Sequence, residues 1–498
     1  MRAISIQSPL KVSLVILSLS FSMFLGACST NPATGERQFA SFMSPEKENQ
    51  VGAQEHAKIL KQFGGLYKNK AVTDYVQAVG QKVAKNTERP DVQYRFFVLD
   101  TPEANAFAVP GGYVYITRGI LALASDESEL AAVLGHEVGH ITGRHSAERY
   151  SHSIVTGIGA TLLGAAVNSP DAGQLVNMGA SLYLNSYSRS QESEADMLGV
   201  RYLSRSGYDT TGMTRFLKTL GAYTQLDARA NGKASSQTPV YFSTHPLNAD
   251  RVEKTVAEAA KYTGGSATAR NKNDYLKKIM GLPWGSSAAQ GYVRGNTFVH
   301  PELGFKFTAP AFAKIVNKPS EVIISAQNQE NQGVAVLDMA TSKQALSAAA
   351  YIQYEWMNEE PLQLVEPIKI NGLDAATAVF PGHVNGRAAQ IRLVAIQWAP
   401  DKFFRFQIAL PSNISSADNN AYKSMTYSFE RIKKENLGSG DAISLVHARS
   451  GDTVGSLSQL QNKVFEQYSS EYFKVLNGLI DPRDNIRVGD LYKVIKRD

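Results

Sequence analysis

The sequence predicts a multidomain chain: a mainly α domain with a small edge-strand sheet, then an α+β domain, then a small βααβ module. Three observations carry this expectation. At 498 residues the chain exceeds one ordinary core, and length alone suggests about three domains. From about Pro45 to Tyr262 apolar residues recur three and four apart, as in Val72 to Lys85. From about 291 onward short alternating runs replace that pattern. Apolar content of 43% and charge of 19% describe a globular protein. The net charge of +6 is small for the length and the basic residues form no cluster, so no nucleic-acid partner is expected.

The N-terminus has the pattern of an export signal. Arg2 and Lys11 precede a mostly apolar stretch, Val12 to Leu25, which ends in Leu25-Gly26-Ala27-Cys28. That stretch is short for a membrane span. Cys28 is the chain's one cysteine, so no intramolecular disulfide can form. A lone cysteine after a small-residue cleavage site resembles a bacterial lipobox. This implies a lipid attached to Cys28 once residues 1–27 are removed; the alternative is a plain signal peptide with an incidental cysteine. Ser29 follows in place of the aspartate of an inner-membrane retention signal, which favours the periplasmic face of the outer membrane of a Gram-negative bacterium. Removal of the signal lowers the net charge from +6 to +4.

The elements follow in order. Residues 28–44, small and polar, are expected to be a tether. In the 45–262 domain, Gln93 to Leu99 and Ala106 to Thr117 are extended, with Pro110-Gly111-Gly112 as the break in the second. "SIVTGIGATLLGAAV" (153–167) is too short to span a bilayer and is expected to be a buried or cleft-covering helix. Residues 263–290, rich in Gly, Ser and Ala, are expected to be a linker. In 291–435, strands are expected at Phe305 to Thr308, Val322 to Ser325, Gly333 to Leu337, Ala376 to Phe380 and Phe403 to Leu410, with a helix from Ala345 to Met357. This α+β module resembles a Mog/PsbP-type sandwich. In 440–498, "SGDTVGSLS", "YFKVLNGL" and "IRVGDLYKVI" resemble a LysM module, which implies peptidoglycan contact; a packing module without sugar binding is the alternative.

The chemistry is concentrated in "AAVLGHEVGHITGRHSAERY" (131–150). His136-Glu137-Val138-Gly139-His140 is H-E-x-x-H, which on a helix puts both imidazoles on one face. Glu137 can reach a water on a shared ion without binding the ion. The helix begins strongly, with acids at Glu127 and Glu129 ahead of an apolar run. A catalytic zinc usually has three protein ligands and an open fourth position. His145 lies five residues past His140, about 140° round a continuous helix, and is expected to be a surface or packing residue. The better third ligand is in "SRSQESEADMLGVRYL" (188–203). Glu192 and Asp196 share a face there, so Glu192 is expected on the metal. Asp196 is expected behind it, accepting the free N–H of a ligating histidine, with His140 the chosen recipient. Glu194 points elsewhere and is expected to be solvated.

H-E-[VIL]-x-H followed by S-R-x-x-E-x-E-A-D-x-x-G resembles the HtpX, BepA and CAAX-prenyl-protease family, metallopeptidase family forty-eight. Two further segments are similar to it: "NAFAVPGGYVYITRGIL" (105–121) and "STHPLNADR" (243–251). The resemblance implies a zincin-type (gluzincin) peptidase domain holding one zinc per chain through His136, His140 and Glu192, with Glu137 as the base. It also implies a histidine facing the zinc, His245, either as an oxyanion donor or as a latch on the open metal position. The C-terminal half departs from BepA-type members, because no 34-residue helical repeat is found.

The expected function is a zinc endopeptidase of the cell envelope acting on unfolded or misassembled envelope proteins. An extended substrate would be held along an exposed strand edge between Phe107 and Ile116. The competing readings are an envelope assembly factor with a wall-anchoring module and a hydrolase of peptidoglycan cross-links.

Overall fold

The computed structural model describes residues 29–40, 42–154, 186–230, 241, 244–246, 249–262, 265, 267–326, 333–357, 362, 364–384, 386–433 and 440–497. The signal segment, Cys28 and nearly all of the 153–167 stretch lie outside the described residues. Two compact units are present: one comprises the chain up to Leu60, Gly65–Leu282 and Ile443–Lys496, and the other is mainly Pro283–Ala442.

The first unit opens with a short hairpin, β1 (Ser29–Thr30) paired with β2 (Arg37–Gln38). Residues 28–44 are therefore no free tether from Ser29 onward. The Asn31 side chain accepts from the Ala33 and Thr34 amides and closes the turn. Ala40 and Met43 then bury themselves against Val51 and Ala147. Polar composition suggested a solvated segment, but these apolar residues supply enough contact to dock it.

Helices α1 (Pro45–Gln62) and α2 (Lys70–Ala84) precede a three-stranded sheet of β3 (Arg95–Leu99), β4 (Ala106–Val109) and β5 (Tyr113–Thr117). Its order is β3-β5-β4, with β3 parallel and β4 antiparallel to β5. Gly111 and Gly112 turn the chain between β4 and β5 at φ 82° and 88°, a conformation that disfavours side chains. The edge strand β4 is not exposed as expected, since every one of its residues is buried. It packs against the helix that carries H-E-x-x-H.

That helix is α4 (Glu127–Thr142), reached through the short α3 (Arg118–Leu123). Asp126 caps it by accepting from the Glu129 amide. Arg215 and Arg270 pair with Asp126, while Tyr75 and Tyr208 donate to Glu127, so the start of α4 is tied to several other elements. Every residue of α4 is buried. Helices α5 (Arg189–Arg205) and α6 (Gly212–Ala230) pack against it, and α7 (Ala249–Ala260) packs on α5 and α6. The region expected to be a linker contains α8 (Lys272–Ile279), whose Tyr275, Leu276 and Ile279 are buried. Tyr275 donates to the Leu121 carbonyl. The flanking glycines and serines masked a short amphipathic turn.

The C-terminal segment belongs to this same unit. Strands β17 (Asp441–His447) and β18 (Leu491–Arg497) enclose helices including α11 (Val454–Ser458) and α12 (Ser469–Leu476). Lys493 of β18 is fully buried and donates to the carbonyls of Ala122, Leu123 and Ala124, at 2.7, 3.3 and 2.6 Å, in the turn before α4.

The second unit has a seven-stranded antiparallel sheet and a four-stranded one. The expected strands are present, as β8 (Phe305–Thr308), β10 (Val322–Ala326), β11 (Val334–Thr341), β13 (Leu373–Val384) and β15 (Lys402–Pro411). Between the two sheets lie Phe298, Phe307, Ile324 and Phe406. A second cluster, including Tyr351, Leu393 and Phe403, covers the larger sheet's other face. The expected helix is shorter, α9 (Ala348–Tyr351) continuing as a π turn, Ile352–Trp356. No helix among the described residues is long and apolar enough to cross a membrane.

Candidate metal centre

Close approach of α4 and α5 builds the site, and small residues permit it. A Cβ on Gly139 would stand 3.1 Å from the Ala195 carbonyl, and one on Gly199 would stand 3.1 Å from the His136 amide. With helix backbones this near, the short side chains of Glu192 and Asp196 reach the imidazoles of α4. Ser188 starts α5 through a capping box with Gln191, one residue ahead of Glu192.

His136 Nε2 and His140 Nε2 lie 3.1 Å apart. Glu192 places Oε2 3.6 Å from the first and Oε1 3.4 Å from the second. His245 Nδ1 is 3.3 Å from His136 Nε2 and 2.9 Å from Glu192 Oε1. Among the described residues these four side chains form a cluster able to hold a metal, with one donor atom from each and all within 4.8 Å of one another. Donors about 2.0–2.2 Å from a tetrahedral ion would be roughly 3.3–3.6 Å apart, so the spacing fits zinc-like coordination. Two imidazole nitrogens 3.1 Å apart and turned toward one another also need a shared cation or proton. The residues present therefore fit a metal.

Glu137 sits beside this quartet, fully buried, and neither of its carboxylate oxygens has a hydrogen-bond partner. Its Oε1 is 3.7 Å from His245 Nε2, which is likewise unpartnered. Burial pushes the Glu137 carboxyl up, against the pull of His245 and His136. Burial also raises Glu192, but His245 and a hydrogen bond with His140 more than reverse that and hold it well below the usual range. His140 is driven well below its ordinary value by burial.

Asp196 is brought into the site, but its partner differs from the expected one. Its Oδ1 is 2.9 Å from His136 Nδ1, not from His140. One turn of α5 separates Glu192 from Asp196, and the helix crossing sets that step over His136. Arg251 holds the same carboxylate in a fork, at 2.7 and 2.8 Å, and places Nη1 2.8 Å from Glu192. Arg251 closes the "STHPLNADR" segment, yet sequence reasoning gave it no task; a fully buried arginine beside two carboxylates is legible only once α7 is folded against α5.

His145 is the second departure. It is buried, and its Nδ1 lies 2.8 Å from His140 Nδ1. A continuous helix would turn His145 about 140° away from His140, but α4 ends at Thr142 and Arg144 adopts φ 55°. That left-handed residue, anchored through Nε to Glu48 Oε1 at 2.9 Å, redirects the chain so that His145 returns to the metal-facing helix. Glu194, expected in solvent, places Oε1 3.4 Å from His145 Nε2. Aromatic rings close the site: Tyr187 stacks on His140 at 3.7 Å between centroids and Tyr241 on His245 at 4.6 Å.

An H-E-x-x-H helix, a carboxylate from a second helix and a free buried glutamate beside them define the class, a metallopeptidase-type centre. Residues 70–259 match the model of Peptidase family M48. The Beta-barrel assembly-enhancing protease of Escherichia coli O157:H7 is 30% identical over 240 residues, covering 46% of this chain and 47% of that protein. Mitochondrial metalloendopeptidase OMA1 of Schizosaccharomyces pombe is 30% identical over 231 residues, covering 45% and 64%. The chain thus spans about half the length of the first of these curated relatives. A solution structure of cyanobacterial PsbP from Synechocystis sp. PCC 6803 is similar to 27% of this chain and 91% of its own, at 12% identity and a TM-score of 0.23, a likeness too weak to bear on the fold.

Proposed function

We propose that this protein is a zinc endopeptidase of the gluzincin type, acting in the bacterial envelope on unfolded or misassembled proteins. The observation that carries this reading is the convergence of His136, His140 and Glu192 at coordination spacing with the unpartnered Glu137 carboxylate beside them. Zinc, when bound, makes the water it holds acidic and polarises the scissile carbonyl. Glu137 accepts the water's proton at a carboxylate oxygen and delivers it to the leaving amine. A buried carboxylate with a raised proton affinity suits both halves of that transfer.

The fourth donor, His245 Nδ1, supports a latch. It fills the position that substrate chemistry needs open, and the stack with Tyr241 holds it there. Once displaced, the same imidazole can donate to the oxyanion. His245→Ala should cleave an unfolded casein faster than wild type while retaining zinc. Slower cleavage with zinc retained would assign His245 to the oxyanion alone, and equal rates would remove both roles.

Similarity to a beta-barrel assembly-enhancing protease and to a mitochondrial metalloendopeptidase supports protein substrates for this chain, and the first of them supports a role in envelope protein assembly. The lipobox pattern supports an anchor at Cys28 on the outer membrane, and the LysM-like segments support a peptidoglycan contact.

A further inference from the structure

Beyond the ligands and Glu137, the structure links the metal centre to the hairpin of Ser29–Thr30 and Arg37–Gln38. His140 has its Nε2 toward the quartet and its Nδ1 2.8 Å from His145 Nδ1. If Nε2 of His140 binds a metal, its proton must sit on Nδ1 and be donated to His145 Nδ1. The single remaining proton of His145 is then on Nε2, which faces Glu194 Oε1 at 3.4 Å. That same oxygen accepts from Asn31 Nδ2 at 2.6 Å. Asn31 is itself buried in the β1–β2 hairpin, whose Ala33 carbonyl is held by Arg201 of α5 at 3.1 Å.

The hydrogen bonds at the two ends of this series each have a fixed donor, His145 Nε2 meets Glu194 Oε1 between them at ion-pair distance without a formed hydrogen bond, and every group is shielded from solvent except the partly exposed Glu194. His136 is backed directly by the Asp196 carboxylate, which Arg251 holds, whereas His140 is backed by the His145 imidazole, with the Glu194 carboxylate behind it. The backing of His140 differs in coming from a distant part of the chain. Gly143 shows how tightly it is built: a Cβ there would stand 2.6 Å from His145 Nε2 and 2.9 Å from Glu194 Oε1. Its φ of −73° is open to any residue, so the side-chain pair and not the backbone requires glycine at this position.

We infer that Asn31, Glu194 and His145 are positioning residues that fix the tautomer and orientation of His140, so that the N-terminal hairpin sets the metal affinity of the centre. The inference rests on the reading that His136, His140 and Glu192 hold zinc.

The test is zinc affinity of the chain from Cys28 onward, measured by competition with a chromophoric chelator, alongside the melting temperature of the metal-free protein. His145→Ala should weaken zinc binding by about 10–100-fold, the usual effect of losing such a partner. His145→Gln, which can accept from His140 and donate to Glu194, should recover most of it. Gly143→Ala should fold with a wild-type metal-free melting temperature and still bind zinc more weakly. Asn31→Asp, which keeps the turn acceptor but sets a carboxylate against Glu194, should lower affinity, and should add little when combined with His145→Ala. Wild-type affinity in both His145→Ala and Gly143→Ala would overturn the inference, as would a loss of melting temperature with zinc affinity unchanged. Failure of the wild-type chain to bind zinc would instead refute the metal reading beneath it.

Discussion

At the residue scale, the site brings together three carboxylates from two facing helices, each in a different setting. In the proposed reaction Glu192 faces the metal position, Asp196 orients His136, and Glu137, whose oxygens have no hydrogen-bond partner, moves the proton. Burial raises the Asp196 carboxyl, but Arg251 and His136 more than reverse this, so it stays ionised in the fold. Asp196→Ala should therefore weaken zinc binding by about 10–100-fold, measured by chelator competition, while leaving Arg251 as a buried cation with one carboxylate partner fewer. Unchanged affinity would remove Asp196 from the site. H-E-x-x-H and the Glu192–Asp196 pair were legible because each depends only on helical periodicity. His145 and Arg251 were not. The first needs a left-handed Arg144 that no periodicity predicts, and the second depends on two helices distant in sequence meeting.

At the element scale, the start of α4 is fixed by a strand from the far end of the chain. Lys493 of β18 places its ammonium on three carbonyls at the end of α3, near Glu129 and Asp126 of α4 and Lys272 of α8. Burial pushes this lysine down to about 7, against the attraction of Glu129. An unfolded lysine titrates near 10.4. Between about pH 7 and 10 the unfolded chain therefore binds more protons here than the folded one, and stability rises with pH across that window. Lys493→Met lacks this contribution, so the stability difference between wild type and variant should grow from pH 7 to pH 9.5 in urea unfolding. A flat difference would show that Lys493 keeps its charge throughout. The periodicities that revealed five strands of the second unit missed others, among them β14 (Arg387–Ala399), whose residues from Ile391 to Ile396 are buried on both faces and do not alternate.

At the scale of the whole molecule, the grouping of the segments into two compact units was not legible in the sequence. The C-terminal module joins the peptidase unit through side chains such as Lys493, and a contact between residues hundreds of positions apart leaves no local signature. The hairpin that begins at Ser29 starts one residue after the proposed lipid site, so an anchor there would hold the peptidase unit close to the membrane surface. Cys28→Ala should incorporate no radiolabelled palmitate, and labelling that persists in this variant would exclude the anchor. The central claim is the zinc-dependent cleavage itself. Its most direct test is metal analysis of the dialysed protein, paired with cleavage of an unfolded substrate before chelation, after chelation and after zinc is restored. The account predicts close to one zinc per chain, activity that disappears and returns with the metal, and a Glu137→Gln variant that keeps the zinc but does not cleave. Full cleavage by metal-free protein would contradict it.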